Sequence, residues 1–367
     1  MNRNISWVVV LTSILVLLLL SACQPGQTDE DPPRAEEIAR RIENVESGLR
    51  QAVITEGRDS RFTLAERMAH YNVPGVSIAV INNGRIEWAR GYGVLEAGGD
   101  EPVTTETMFQ AASISKPVAA VGALSLVESG ALTLDADVND YLTSWKVPQS
   151  EFTVEQPLTL AHLLSHSGGV TVHGFRGYAH DEQVPTLTQL LDGQAPANSD
   201  PIRVDTKPGD LWRYSGGGFC IVQQMMIDAS GKPFPELMQE FVLGALGMEH
   251  STYEQPLPER LSASAARGHR PDGQLVPGRW HTYPEMAAAG LWTTPSDLAR
   301  FAIDVINTFE GKSAAVLSRD RVIEMLTVQH GNYGLGLSIG FFLRTQDTLA
   351  NTASGNNFSK GFVRINV

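Results

Sequence analysis

Lysine is scarce in this chain: six residues in 367, against 22 arginines, so each ammonium group stands out. Positive charge as a whole is short too. With 28 basic and 41 acidic residues the net charge is −13, which excludes the basic footprint of a nucleic-acid-binding surface. The acidity favours solubility and names no partner. Cysteine is nearly absent, with Cys23 and Cys220 allowing one bridge at most. The longest apolar run, Trp7 to Leu20, has 14 residues and is broken by Thr12 and Ser13. That is short of the roughly 20 residues a helix needs to span a bilayer. Internal repeats are missing as well. What is there is ordinary globular composition, 42% apolar and 19% charged, long enough for one large domain or two sharing a core.

The apolar run follows Arg3 and ends in Leu20-Ser21-Ala22-Cys23. A short positive start, a short apolar core and small residues before a cut form the pattern of a secretory signal. The cysteine directly after them resembles the bacterial lipoprotein signal, in which the thiol is lipidated and becomes the mature N-terminus. An ordinary secretory signal or a short membrane helix that happens to carry a cysteine are the alternatives. The expectation is a signal peptide over 1–22, a lipidated Cys23 that leaves Cys220 a free thiol, and a polar tether over 23–33, whose Pro, Gly and acidic residues cannot bury a core. Gln24 rather than an aspartate follows the cysteine; by resemblance to Gram-negative lipoproteins this favours the outer membrane.

From residue 34 a single domain is expected to run to 367. Residues 34–53 are charged and helix-prone, and Thr63-Leu64-Ala65-Glu66 has the form of a capping box. Gly75 to Ile81 is rich in β-branched residues, Asn83-Gly84 follows, and Arg85 to Trp88 reads as a second strand, which together predict a hairpin. Residues 113–129 predict a helix, with Val118, Val121, Leu124 and Val127 at helical spacing and Gly130 at its C-terminal end. Helical pieces between Pro/Gly loops fill the middle, and strand signals return near 333–345 and 361–367. The pattern predicts an α/β fold: an antiparallel sheet from the two chain ends, flanked by helices, with a helical lobe over about 135–280 between them.

Ser113-Ile114-Ser115-Lys116 opens the predicted helix. Residues three apart on a helix share a face, so Lys116 can set its amine beside the Ser113 hydroxyl. Serine is a poor nucleophile until a base takes its proton. Lysine serves as that base only where burial lowers its pKa. A helix N-terminus also favours a developing oxyanion. Spacing alone favours the blander reading, a surface lysine beside a capping serine. His162 and His166, four apart, have the spacing of metal ligands, yet no third ligand is evident, so no metal is expected; His269 and His281 receive no role.

The segment from Met108 to Pro117, Met-Phe-Gln-Ala-Ala-Ser-Ile-Ser-Lys-Pro, closely resembles the nucleophile segment of class C β-lactamases and their relatives, the D-Ala-D-Ala carboxypeptidases and lactamase-like esterases. The resemblance continues in the family's order through Val73 to Val80, Leu158 to Gly169, Tyr214 to Phe219, Leu246-Gly247-Met248 and Ala288 to Ala299, from about residue 60 to 362. It implies that Ser113 is acylated, that Lys116 is its proton-transfer partner, and that Tyr214 shares the base role and protonates the leaving group. A tyrosine beside an ammonium is expected to be pushed towards phenolate; a packed aromatic with a satisfied hydroxyl is the alternative. Backbone N–H groups of Ser113 and Asn356 would form the oxyanion hole. No cofactor is implied.

Two departures stand out. The family's Tyr-x-Asn is Tyr214-Ser215-Gly216 here, which removes the side-chain amide that helps hold an acyl-side amide. Its Lys/His-x-Gly is reduced to Ala353-Ser354-Gly355, without the basic residue. The chain also stops at Val367, where the family continues with strands and a C-terminal helix; the expectation is a truncated or frameshifted product with sheet edges uncovered. The first functional reading is a serine hydrolase acting through acyl-Ser113 on small esters or peptidoglycan-type D-alanyl amides. The alternatives are a β-lactamase and a non-catalytic, lipid-anchored binding or sensing protein of the bacterial envelope.

Overall fold

The computed structural model describes residues 32–50, 61–339 and 360–366. The chain divides into two compact units, one ending at Leu64 and one beginning at Ala65. In the first, helix α1 (Pro32–Ser47) covers most of the helix-prone stretch. It is followed by a minimal antiparallel pair, β1 (Leu49–Arg50) with β2 (Arg61–Phe62), in which Leu49 faces Phe62. The signal, the tether and Cys23 lie outside the described residues.

The second unit carries the sheet. Helix α2 (Leu64–His70) leads into β3 (Gly75–Asn82), which pairs antiparallel with β4 (Arg85–Gly93) from Gly75↔Gly93 to Asn82↔Arg85. Asn83 and Gly84 both take positive φ, 53° and 69°, as the tight turn of a two-residue hairpin demands. A bulge between Val80 and Ile81 shifts the register. On its other side β3 pairs with β7 (Lys360–Asn366), from Val76↔Asn366 to Asn82↔Lys360, giving the order β4-β3-β7. The sheet is thus built from segments near the two ends of the described chain. Helix α12 (Pro295–Phe309) lies across all three strands, and Ala299, Ala302 and Ile303 meet Ala79, Ile81, Ile86 and Ala89. Thr294 caps it by accepting from the Asp297 N–H, with Pro295 in its first turn.

Helices fill the stretch between sheet strands. Helix α3 (Ser115–Glu128) follows a 3₁₀ turn at Ala112–Ile114. Its apolar residues were expected on one stripe; instead Val118 to Leu126 are all buried, because α3 runs through the core and is surrounded. Around it stand α8 (Gly216–Ser230) and α11 (Met286–Ala289). Between α3 and α11 in sequence also come α4 (Val138–Tyr141), α5 (Glu151–Glu155), α6 (Leu160–Leu164), α7 (Leu187–Asp192), α9 (Phe234–Met238) and α10 (Glu259–Ser262). Helix α13 (Arg319–Leu326) closes the helical order. A two-stranded pair, β5 (Phe109–Gln110) with β6 (Trp292–Thr293), ties the nucleophile segment to the run before α12.

One predicted strand is corrected. Residues 333–339 alternate apolar and small residues, yet they form turns with a Tyr333↔Ser338 bridge. Two of their N–H groups go to helix ends instead of a partner strand: Leu335 donates to the Met325 carbonyl and Gly336, at φ 94°, to that of Leu164. Residues 340–345 of the predicted strand lie outside the described residues.

Candidate active site

The nucleophile turn is held from several sides. Ala112, directly before Ser113, has φ 44°, a left-handed conformation that a non-glycine residue keeps only when its surroundings impose it. The Ser115 hydroxyl donates to the Ala112 carbonyl at 2.6 Å and accepts from the Leu291 N–H at 3.0 Å. Ala111 N–H donates to the Leu291 carbonyl, and the fully buried Tyr253 hydroxyl donates to the Ser115 carbonyl at 2.7 Å. Ser113 itself is exposed. The turn therefore presents one hydroxyl to solvent from a braced backbone.

Lys116 points inward. It is 2% exposed, and its Nζ donates to Ser113 Oγ at 3.0 Å and to the Ala288 carbonyl of α11 at 2.8 Å. Burial lowers its pKa from 10.5 to about 8, with the neighbouring Cys220 acting the other way. The amine thus gains a neutral fraction near physiological pH, which the spacing alone did not guarantee.

Tyr214 lies just before α8, whose N-cap Ser215 accepts from the Gly218 N–H at 3.0 Å and donates to the Thr171 carbonyl at 2.7 Å. Here the expectation of a phenolate is corrected. Burial raises the Tyr214 pKa above its ordinary value, against a hydrogen bond with the Ser113 side chain that lowers it. The ammonium sits over the ring, 4.9 Å from its centroid. Tyr214 accordingly stays a phenol that faces Ser113.

Two imidazoles flank that ring, His166 at 4.3 Å and His173 at 4.9 Å between centroids. His166 is buried, at φ 59°, and its Nδ1 accepts from the Ser215 N–H at 3.2 Å. Burial, then the charges of Lys116 and His173, bring its pKa down to about 3, so it is neutral and packs Tyr214 in place. His162 is spent on a helix cap, its Nδ1 accepting from the Thr159 N–H. Among the described residues no cluster of three or more His, Cys, Asp or Glu has the arrangement of a metal site.

Sequence reasoning missed a buried acid behind these residues. Glu285, directly before α11, is 0% exposed, and neither carboxylate oxygen has a hydrogen-bond partner among the described residues. Burial raises its pKa from 4.5 to about 8. Its charge reaches Cys220, a free, buried thiol on α8 whose pKa burial pushes well up, and Cys220 in turn neighbours Lys116. An acid in Tyr-Pro-Glu-Met carries no sequence mark of burial. Ala353, Ser354, Gly355 and Asn356 lie outside the described residues, so the second oxyanion donor is not placed.

A buried lysine one turn from an exposed serine, with a tyrosine over both, can be compared with known proteins. The beta-lactamase family model matches residues 62–355. This chain belongs to the beta-lactamase family. It is 25% identical over 228 residues to esterase EstB of Burkholderia gladioli, covering 60% of this chain and 58% of that protein. It is 25% identical over 230 residues to the D-alanyl-D-alanine-carboxypeptidase/endopeptidase AmpH of Escherichia coli K12, covering 62% and 56%. The octameric penicillin-binding protein homologue from Pyrococcus abyssi superposes with a TM-score of 0.60 at 27% identity, covering 75% of this chain and 63% of that one. The chain spans a little under three fifths of the length of these two curated relatives.

Proposed function

We propose that the chain is a serine hydrolase that works through an acyl-Ser113 intermediate on small esters. The observation that carries this reading is the buried Lys116 amine, 3.0 Å from an exposed Ser113 hydroxyl, with its pKa brought to about 8. Ser113 Oγ attacks the ester carbonyl carbon as its proton passes to neutral Lys116. The C–O bond to the alcohol breaks, and the departing oxygen takes the Tyr214 proton, which the raised pKa of that phenol keeps available. Lys116 returns its proton to Tyr214, and water then repeats the attack on the acyl-serine. The Ser113 N–H, in the turn that opens α3, supplies one oxyanion donor.

The likeness to EstB supports esters; the likeness to AmpH supports D-alanyl amides as a second substrate class. β-Lactam hydrolysis ranks below both because Gly216 offers no side-chain amide to an acyl-side amide. Treatment with a fluorophosphonate probe is expected to add one label to Ser113, lost in Ser113→Ala and located by peptide mass. A folded chain that takes neither this probe nor a fluorescent penicillin would instead be a non-catalytic binding or sensing protein.

We also infer that 1–22 is a secretory signal and that lipidated Cys23 anchors the chain in the bacterial envelope, on the periplasmic side and preferably at the outer membrane. The support is the short apolar run ending in Leu20-Ser21-Ala22-Cys23. Among the described residues no helix is long and apolar enough to cross a membrane. Expression with an alkyne-tagged fatty acid is expected to label the full chain and not Cys23→Ala. Equal labelling of both would refute the anchor.

A further inference from the structure

The acceptor that holds Lys116 belongs to an element with no stability of its own. Helix α11 has four residues, and a single turn does not persist without outside support. Its Ala288 carbonyl accepts from Lys116 Nζ at 2.8 Å. The N–H of the same peptide unit, that of Ala289, donates to the Glu285 carbonyl at 2.8 Å. Where that peptide lies therefore follows from where residues 284–287 are held.

A buried amide from α8 holds them. Gln223 is 2% exposed. Its Nε2 donates to the Pro284 carbonyl at 3.1 Å, and its Oε1 accepts from the Ala287 N–H at 3.0 Å. A carbonyl only accepts and a backbone N–H only donates, so both ends of the amide are used and its orientation is fixed. The Ala287 N–H lies in the first turn of α11, where no carbonyl of the helix can take it. Gln255 braces the outer ends of the stretch, accepting from the Tyr283 N–H at 3.1 Å and donating to the Gly290 carbonyl at 2.8 Å. Gln223 stands one turn after Phe219 and Cys220 on the same face of α8. That face turns towards Lys116, whose Nζ is 5.9 Å from the Phe219 ring centroid. Helix α8 itself begins two residues after Tyr214. One helix thus starts at the tyrosine and, two turns on, grips the turn that receives the lysine.

We infer that Gln223 is a positioning residue for acylation: by clamping 284–287 it keeps the Ala288 carbonyl where it aims Lys116 Nζ at Ser113 Oγ, in fixed relation to Tyr214. This rests on the proposed serine-hydrolase reading and adds the part of the fold that aims its base. The amide touches none of the reacting atoms and acts only through α11 and Lys116. Its effect is large for its distance because proton transfer depends steeply on geometry, and a misplacement of about 1 Å can cost about 100-fold.

The test measures the second-order rate at which a fluorophosphonate labels Ser113, and kcat/KM for 4-nitrophenyl acetate. It compares the full chain, Gln223→Met, Lys116→Met and the double variant, with rates taken per folded chain from circular dichroism. Methionine keeps the length of glutamine and removes both its donor and its acceptor. Gln223→Met is expected to lower both rates about 10–100-fold. In the Lys116→Met background the same change should cost less than about twofold, because no amine is left to aim. A glutamine that only supports the fold would cost as much in one background as in the other. Should Gln223→Met fail to fold, Gln223→Asn takes its place with the same expectation, its amide being one methylene too short to reach both Pro284 and Ala287. Equal costs in the two backgrounds, or rates within about twofold of the unchanged chain in the single variant, overturn the role of Gln223 while the hydrolase reading stands. If Ser113 of the unchanged chain takes no label and no ester is hydrolysed, the hydrolase reading itself has failed, and this inference with it.

Discussion

Ser113→Ala is expected to stay folded and to lose ester turnover by about 10⁴–10⁶-fold, the scale on which removing an activated serine acts. The hydroxyl is exposed, so its removal leaves the core untouched. Lys116→Met is the more informative variant, because methionine fills similar volume without an amine. It is expected to lower kcat/KM by about 10²–10⁴, the usual worth of positioned proton transfer. The pH profile carries the mechanism. Burial brings Lys116 to about 8, and only its neutral form accepts the Ser113 proton. Activity of the unchanged chain should therefore climb about tenfold per pH unit below that value and level off above it. In Lys116→Met the climb should vanish. Steady-state rates on 4-nitrophenyl acetate from pH 6 to 9.5 decide this, and a flat profile for the unchanged chain would remove Lys116 from the base role.

Glu285→Gln is expected to stabilise the protein above pH 8 and to change little at pH 5. The folded carboxyl holds its proton up to about 8, whereas the unfolded chain releases it near 4.5. Between those values the native state binds the extra proton, so stability drains away as pH rises through the window. At about 1.4 kcal/mol per unit, the loss is about 5 kcal/mol once the folded group ionises. Lys116 runs the other way at higher pH. Its folded amine gives up a proton near 8 and the unfolded one near 10.5, so stability lost to its burial returns as pH climbs between them. The two together place a stability minimum near pH 8. Glutamine mimics the neutral acid and should erase the falling limb, raising the thermal midpoint at pH 9 by about 10 °C. Parallel midpoints for both proteins from pH 5 to 9 would show that Glu285 is not the buried acid responsible.

The features legible in the sequence are those fixed by neighbours along the chain. Asn83-Gly84 between two β-rich runs marks the hairpin, and Ser113 three residues before Lys116 sets both on one helical turn. The order of several longer matches placed Tyr214 with them. Features set by residues far apart were not legible. Whether the Tyr214 pKa falls or rises depends on how deeply the packing around α8 buries the phenol, and here burial raises it. The burial of Glu285 comes from helices more than fifty residues away in sequence. The alternation at Tyr333, Leu335, Leu337 and Ile339 mimics a strand, yet the N–H groups of Leu335 and Gly336 go to two helix ends and those of Tyr333 and Ile339 to nearby turns. Gly216 reads in the sequence only as a missing amide. In space it is the surface on which Phe175 rests.

The order β4-β3-β7 also bears on how the protein is made. β3 and β4 can close as a hairpin as soon as both have been synthesised, but the second neighbour of β3 arrives only with residues 360–366, after nearly all of the described chain. Until then β3, buried along almost its whole length in the finished sheet, shows an unpaired edge with Val76, Ile78 and Val80 on it. Such an edge pairs readily with another copy of itself. Closing so long a loop also slows the step that covers it. Aggregation during synthesis, rather than instability of the finished fold, is then the hazard that this topology creates, and it should ease when translation is slowed or chaperones are abundant.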